Sequence, residues 1–428
     1  MEPIRIGLLG LGTVGTGVLR IVEEHRADLE SQVGSPIEIA KVLVRDLNKS
    51  RAIDLPVEKL TDNAYDIIND PSIHIVIEVI GGTTQAKEYM IAAIQQGKHI
   101  VTANKDLMAT HGVEIMELAK ANQCDVFYEA SVAGGIPILR TLVQGFASDR
   151  ITKIMGIVNG TTNYILSKMS EEGVAYADVL KEAQELGYAE ADPTSDVEGI
   201  DAAYKMTILG TLGFHVNVSV KDVERKGISG VTKEDIANAK MLGYELKLLG
   251  IAENDNGAIR LSVQPTMVKH THPLASVNGV FNAVYVYGSM VGETMFYGPG
   301  AGELPTATSV VADVVAVAKN LKLGVSGKST FVAAKQKKLK SDDEVSCRNF
   351  ILLSVADKTG ALAQITQAFA EHNVSISSVV QPPRAHNHVA DVIVITHDAT
   401  VSNMKRVLAQ LENMDAVAAI KSVYRVEG

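Results

Sequence analysis

Ile4-Arg5-Ile6-Gly7-Leu8-Leu9-Gly10-Leu11-Gly12-Thr13-Val14-Gly15 decides the fold of this chain. Ile4 to Leu9 is apolar except for Arg5 and reads as a short buried strand, while the residues from Val14 onward recur with helical spacing. Between them stands a GxGxxG turn. Gly10 permits the tight turn, Gly12 lets backbone approach a pyrophosphate, and Gly15 lets the helix pack closely on the strand. A pyrophosphate placed there meets free N–H groups and the positive end of the helix dipole. Gly10, Leu11, Gly12, Thr13, Val14 and Gly15 are therefore the expected contacts to a dinucleotide.

Outward from this loop, the first helix is expected over 14–29 and a second strand over 37–44. A third apolar run covers 73–79, and a helix over 86–96 is stopped by Gly97. A strand at His99–Thr102, a helix over 113–122 and a strand over 125–128 follow. Strands alternating with helices predict a parallel sheet covered on both faces, a Rossmann-type domain over 1–129. From 130 to 305 the pattern becomes α+β and is expected to form a substrate-binding and dimerisation domain. It shows a helix at 137–144, a strand at 153–158, helices at 176–186 and 196–214, and strand-like runs at 260–266, 283–286 and 293–297. Residues 306–318 are small and apolar, so 306–320 is expected to pack back as a buried helix completing the first domain. A linker is expected over 321–349, lysine-rich between 326 and 343. Residues 350–428 then read strand, helix, strand, strand, helix, strand, the ferredoxin-like βαββαβ order within an overall α/β chain.

At 428 residues the chain exceeds one ordinary hydrophobic core. With 46% apolar and 21% charged residues it has the profile of a soluble globular protein, and its formal charge of −10 disfavours nucleic acid or anionic lipid as main partner. Cys124 and Cys347 fit a reducing compartment and make no metal-ligand spacing. The N-terminal residues carry no signal-peptide pattern and no long apolar span follows, so the expectation is a cytoplasmic protein that does not engage a membrane.

Several charges stand out. The expected second strand ends Val42-Leu43-Val44-Arg45-Asp46. An acidic residue there binds the ribose 2′-hydroxyl, whereas Arg45 can hold a 2′-phosphate or stack on adenine; NADP is favoured and Asp46 leaves NAD open. Gly187-Tyr188-Ala189-Glu190-Ala191-Asp192-Pro193-Thr194-Ser195-Asp196 is a carboxylate-loaded loop entering a helix that Ser195 and Glu198 can cap. On that helix Val197, Asp201, Lys205, Ile208 and Leu212 share a face. Asp201 therefore neighbours Lys205, which reads either as a surface ion pair or as a pair facing a polar cleft. Lys105, in Thr102-Ala103-Asn104-Lys105, follows a strand at the carboxyl end of the sheet, where doubly wound folds bind ligands; a merely solvated lysine is the alternative. Glu129-Ala130-Ser131-Val132-Ala133-Gly134-Gly135-Ile136-Pro137 is either a tight turn or a cage of carbonyls and one carboxylate for a hard cation.

Taken together, the dinucleotide loop, Thr102-Ala103-Asn104-Lys105, Glu129-Ala130-Ser131-Val132, Asn159-Gly160-Thr161-Thr162-Asn163 and the stretch from Gly187 to Lys205 resemble homoserine dehydrogenase of the longer form with a C-terminal ACT domain. The resemblance implies NADP- or NAD-dependent interconversion of L-aspartate 4-semialdehyde and L-homoserine, towards threonine and methionine. It implies that Lys205 moves the proton, Lys105 assists at the substrate oxygen or the cofactor, and Asp201 holds Lys205. It further implies substrate binding by Gly187, Glu190, Asp196 and Asp201, a sodium site at Glu129, Val132, Gly134 and Ile136, and Gly302 beside the cofactor. A homodimer or homotetramer is implied as well. Threonine is the implied effector, with Asp357, Gly360, Ala361 and Leu362 in one loop and Asn373, Val374, Ser375 and Ile376 in a turn supplying backbone groups. Two rivals stand beside this reading. An acyl-phosphate-forming semialdehyde oxidoreductase needs a cysteine nucleophile, and a non-catalytic NAD sensor shows no turnover.

Overall fold

The computed structural model describes residues 2–51, 53, 55–328, 333, 336–382 and 389–428. Its first layer follows from the glycine loop. Strand β1 (Ile4–Leu9) leads through Gly10–Gly12 into α1 (Thr13–Glu24) and α2 (Arg26–Val33). The expected single helix over 14–29 is thus two helices meeting at His25, and the bend carries Leu29 and Val33 into the same core as Val18 and Val22. Then come β2 (Ile37–Leu43), β3 (Leu60–Thr61), α3 (Tyr65–Ile68), β4 (Ile75–Glu78), α4 (Thr84–Gln95), β5 (His99–Thr102), α5 (Lys105–Ala121) and β6 (Val126–Phe127). All neighbours pair in parallel in the order β3-β2-β1-β4-β5-β6, the doubly wound nucleotide-binding arrangement. Helix α5 begins eight residues earlier than the periodicity predicts, because the Asn104 side chain caps it by accepting from Leu107 N (3.1 Å).

The second unit holds α6 (Ile138–Arg140), which continues as a π-turn, then β7 (Ile151–Ile157), α7 (Gly160–Glu172), α8 (Tyr176–Glu185), α9 (Thr194–Val197) and α10 (Ile200–Phe214). After these come β8 (Val223–Arg225), α11 (Lys233–Met241), β9 (Tyr244–Asp255), β10 (Ala258–Lys269), β11 (Phe281–Gly288), β12 (Gly292–Pro299) and α12 (Glu303–Leu323). The expected helix over 196–214 is broken at Gly199, whose φ of 72° lies in the left-handed region. The Ser195–Glu198 cap therefore does not form; Ser195 is exposed, and the Asp192 carboxylate accepts from Thr194 instead. β9 escapes sequence reading because Tyr244 to Ala252 is buried on nearly every residue, which erases the two-residue alternation. Helix α12 returns to the first unit and lies on α1, where a Cβ on Gly17 would fall 2.7 Å from Glu303 O.

The third unit is β13 (Lys338–Leu339), β14 (Ser346–Ala356), α13 (Ala361–Glu371), β15 (Ile376–Val380), β16 (Val389–Thr396), β17 (Ala399–Thr400), α14 (Val401–Glu412) and β18 (Val417–Glu427). The order β18-β14-β16-β15 is that of a ferredoxin-like sheet with its own core around Ile351, Leu353, Phe369, Val392 and Val407. Of the expected linker, residues 329–332, 334 and 335 lie outside the described residues, while Lys338–Leu339 pairs with β10.

The third sheet is not separate from the second. Thr266–Val268 of β10 pairs in parallel with Arg425–Glu427 of β18, giving one continuous sheet, β12-β11-β7-β9-β10-β18-β14-β16-β15. At the seam Arg425 is buried and bonds Glu253 of β9 and Glu427 (2.6 Å each), while Lys153 of β7 bonds Glu427 at 2.7 Å. Removing the guanidinium leaves two partly buried carboxylates with Lys153 as their remaining cation. Arg425→Ala is expected to cost about 1–3 kcal/mol of stability, the usual cost of leaving polar groups of a packed seam short of a partner. A urea midpoint equal to that of the wild type would show that the seam carries no such load.

Candidate active site

The site assembles where the carboxyl end of the first sheet meets α10. Glu78, buried at the end of β4, accepts from Thr102 Oγ1 (2.6 Å) and from the N–H groups of Ile80 and Gly81. Burial pushes its carboxyl up, against those hydrogen bonds. Asn104 donates to Gly82 O (2.8 Å) while capping α5, so Lys105 is presented at the first turn of a fixed helix.

Across the domain boundary stands the pair predicted from spacing. Lys205 Nζ lies 2.7 Å from Asp201 Oδ2 and donates at 2.7 Å to Val158 O, the residue after β7. Lys105 Nζ lies 3.3 Å from Asp201 Oδ1, so one carboxylate is shared by two ammonium groups from different domains. Burial pushes the Asp201 carboxyl up, but Lys205, Lys105 and hydrogen bonds outweigh it and hold the group below its ordinary value. Burial likewise favours a neutral Lys105, yet Asp201 and Asp106 outweigh it and hold the ammonium above its ordinary value. Asp196 is half-buried, and burial together with nearby Asp201 pushes its carboxyl up. The loop after α8 is pinned beside this group, since Thr161 Oγ1 donates to Tyr188 O (2.6 Å) and the Tyr164 and Tyr188 rings meet edge-on. Gly187 turns there with φ 76°, and the exposed Glu190 carboxylate makes no hydrogen bond among the described residues.

The dinucleotide loop fits its ligand. Gly10 has φ 105°, and a Cβ on Gly15 would lie 2.3 Å from Gly10 O, but one on Gly12 would meet nothing within 4 Å. Gly12 caps α1 with no side-chain hydrogen bond and no acidic residue in the first turn, so the helix N-terminus faces open space. A cleft of about 570 Å³ continues from this loop past Arg45, Asp46, Lys49 and Arg51. Arg51 is engaged by loop carbonyls, at 2.7 Å to Lys49 O, whereas exposed Arg45 has no partner among the described residues. Gly302, at φ 122°, begins α12.

Glu129 is buried, its oxygens accepting from Leu139 N (2.6 Å) and Arg140 N (2.8 Å), and burial pushes its carboxyl up. Ala133 and Gly134 turn with positive φ; Gly134 O accepts from Ser309 Oγ (2.7 Å) and Ile136 O from Ile138 N (2.8 Å). Each oxygen retains a lone pair. This donor set suits a hard cation held by oxygen, and among the described residues no group of three His, Cys, Asp or Glu is placed to hold a metal.

The effector segments do not converge within one chain. Asp357, Gly360, Ala361 and Leu362 lie at the N-terminal end of α13, and Asn373, Val374, Ser375 and Ile376 beyond its C-terminal end, about 16 Å away by helix rise. Sequence reasoning quoted Asn159, Thr102 and Asn104 within motifs but gave them no role of their own, and it missed Glu78 and Val158 O.

A doubly wound nucleotide-binding domain facing a lysine–aspartate–lysine centre defines an NAD(P)-dependent oxidoreductase. Residues 10–129 match the homoserine dehydrogenase NAD binding domain, residues 137–315 homoserine dehydrogenase, and residues 350–415 the ACT domain. The homoserine dehydrogenase of Bacillus subtilis (strain 168) is 54% identical over 429 residues, covering 100% of this chain and 99% of that one. The crystal structure of a homoserine dehydrogenase from Thiobacillus denitrificans aligns with TM-score 0.94 at 41% identity, covering 100% and 98%. A hyperthermophilic archaeal homoserine dehydrogenase in complex with NADPH aligns with TM-score 0.63 at 28% identity, covering 75% and 98%. The chain belongs to the homoserine dehydrogenase family, in the form that carries a C-terminal ACT domain.

The open space above Gly12 and the closed space at Gly15 separate binding from folding. Gly12→Ala is expected to leave thermal stability unchanged and weaken NADPH binding, whereas Gly15→Ala costs about 1–3 kcal/mol of stability by overpacking. Equal effects of both substitutions on melting would contradict that assignment.

Proposed function

We propose that the centre reduces L-aspartate 4-semialdehyde to L-homoserine reversibly, with Lys205 carrying the proton. One observation carries this reading. An ammonium has three protons; Lys205 directs two to Asp201 and Val158 O, and the third has no partner among the described residues. It is the group left to meet a substrate oxygen. The bound nicotinamide supplies or takes the hydride at the carbonyl carbon. Lys205 protonates the oxygen as it gains charge, and Lys105, held charged by Asp201, stabilises that charge from the other side. Glu190 and the Gly187 backbone take the substrate amino group, with Asp196 bordering the same space. The acyl-phosphate rival lacks a nucleophile: Cys124 is buried and its thiol pushed up to about 11, and burial raises Cys347 as well.

Arg45, exposed beside Lys49 and without a partner among the described residues, supports NADP as the preferred coenzyme over NAD. Sodium, held by Glu129, Val132, Gly134 and Ile136, would brace the turn that joins the two domains. A cytoplasmic location is part of this proposal; no helix among the described residues is long and apolar enough to cross a membrane. Threonine is the proposed effector. Because its two expected segments stand at opposite ends of α13, the reading requires at least a homodimer, one copy giving the loop and another the turn.

Lys205→Ala is expected to lower kcat for homoserine oxidation at least about 100-fold with little change in coenzyme affinity. A variant within a few-fold of wild type removes Lys205 from the chemistry. Arg45→Ala is expected to weaken NADP binding by about 1–3 kcal/mol and leave NAD binding nearly unchanged. Equal losses for both coenzymes would place Arg45 on the shared adenosine instead.

A further inference from the structure

Asn159 belongs to the sequence motif Asn159-Gly160-Thr161-Thr162-Asn163, yet the reaction as derived above gives it no part. It is buried, and each polar atom of its side chain is assigned. Oδ1 accepts from Thr162 N and Thr162 Oγ1, both at 2.9 Å, capping α7. That cap fixes the amide: a flip would set the NH2 group against the Thr162 N–H. The two amide protons must therefore point the other way, where Nδ2 donates to Asp196 Oδ1 (2.7 Å) and to Asp201 Oδ2 (2.8 Å). Asp201 Oδ2 is the same oxygen that holds Lys205.

We propose that Asn159 is a positioning residue of the active site, a neutral double donor that holds Asp196 and Asp201 side by side and fixes the orientation in which Asp201 grips Lys205. Two half-buried or buried carboxylates this close repel each other, and one amide supplies a proton to each without adding charge. Val158 O, one residue earlier, fixes Lys205 itself, so the end of β7 sets both members of the ion pair. The inference rests on the reading of Lys205 as proton carrier.

Asn159→Ser and Asn159→Asp test it, because serine, aspartate and asparagine all cap helices well. Both variants keep the α7 cap and lose the double donor; the aspartate also adds a carboxylate. With Asn159→Ser, kcat is expected to fall at least about 10-fold while the thermal midpoint and the NADPH Kd stay at wild-type values. With Asn159→Asp the loss is larger at about pH 8 and narrows towards about pH 6, because a proton retained among three carboxylates restores a donor. A capping role alone predicts neither the kcat loss at unchanged melting nor the pH-dependent recovery. Asn159→Ser with kcat within twofold of wild type overturns the proposal, even should Asn159→Asp fail to fold. Lys205→Ala is assayed alongside. If that variant is inactive while Asn159→Ser is fully active, only the role of Asn159 falls; if it is active, the reading of the site falls and the proposal with it.

Discussion

One buried carboxylate, Asp201, shared between Lys205 of its own helix and Lys105 of the other domain, is the constraint on which this site depends. A carboxylate taken out of water with no cation would protonate or force the chain open. With two ammonium groups within 3.3 Å it stays ionised, and Lys105 is shared further with Asp106 at 3.8 Å. The same three residues bridge the dinucleotide domain and the second domain. Lys105 meets Asp201 because the start of α5 faces α10 across the domain boundary.

The scaffold holds this geometry by rigid ends of elements rather than by long loops. Glu78, Thr102 and Asn104 tie the ends of β4 and β5 to the first turn of α5, and Val158 with Asn159 ties the end of β7 to the first two turns of α10. β7 lies inside the large sheet, between β11 and β9, and cannot slide without breaking two ladders. Six residues before Asn159, Lys153 reaches the Glu427 and Arg425 seam of the C-terminal unit. A single strand thus touches both the C-terminal unit and the groups around Lys205.

What the sequence revealed was local. The strand–glycine–helix unit was legible because three glycines at fixed spacing have few other uses, and Asp201 with Lys205 because four-residue spacing puts them on one helical face. What it concealed was either symmetric burial or distance along the chain. β9 has no polar face to show, although Asn256 (φ 51°) and Gly257 (φ 95°) form the kind of turn that marks a hairpin between β9 and β10. Gly199 looks like a tolerable helix glycine until its left-handed φ separates α9 from α10. Lys105 and Asp201 are 96 positions apart, and Arg425 and Glu253 172. No periodicity reports such pairs; only the packed domains bring them together.

The seam also limits how the C-terminal unit can influence catalysis. Its β18 edge is committed to β10 within the chain, so the edge left free in that unit is β15. The loop before α13 and the turn before β15 stand at opposite ends of the unit, and a small ligand can touch both only across two copies. That unit meets the rest of the chain at β18, where the buried Arg425 is braced by Glu253 and Glu427, and through Phe350, Leu352, Ile393 and Ile395, which join the core of the second unit. Glu253 faces Lys153 in the β7–β9 register, and β7 ends at the carbonyl that holds Lys205. The seam and the carbonyl that holds Lys205 therefore stand at the two ends of one hydrogen-bonded strand, inside a sheet packed on both sides.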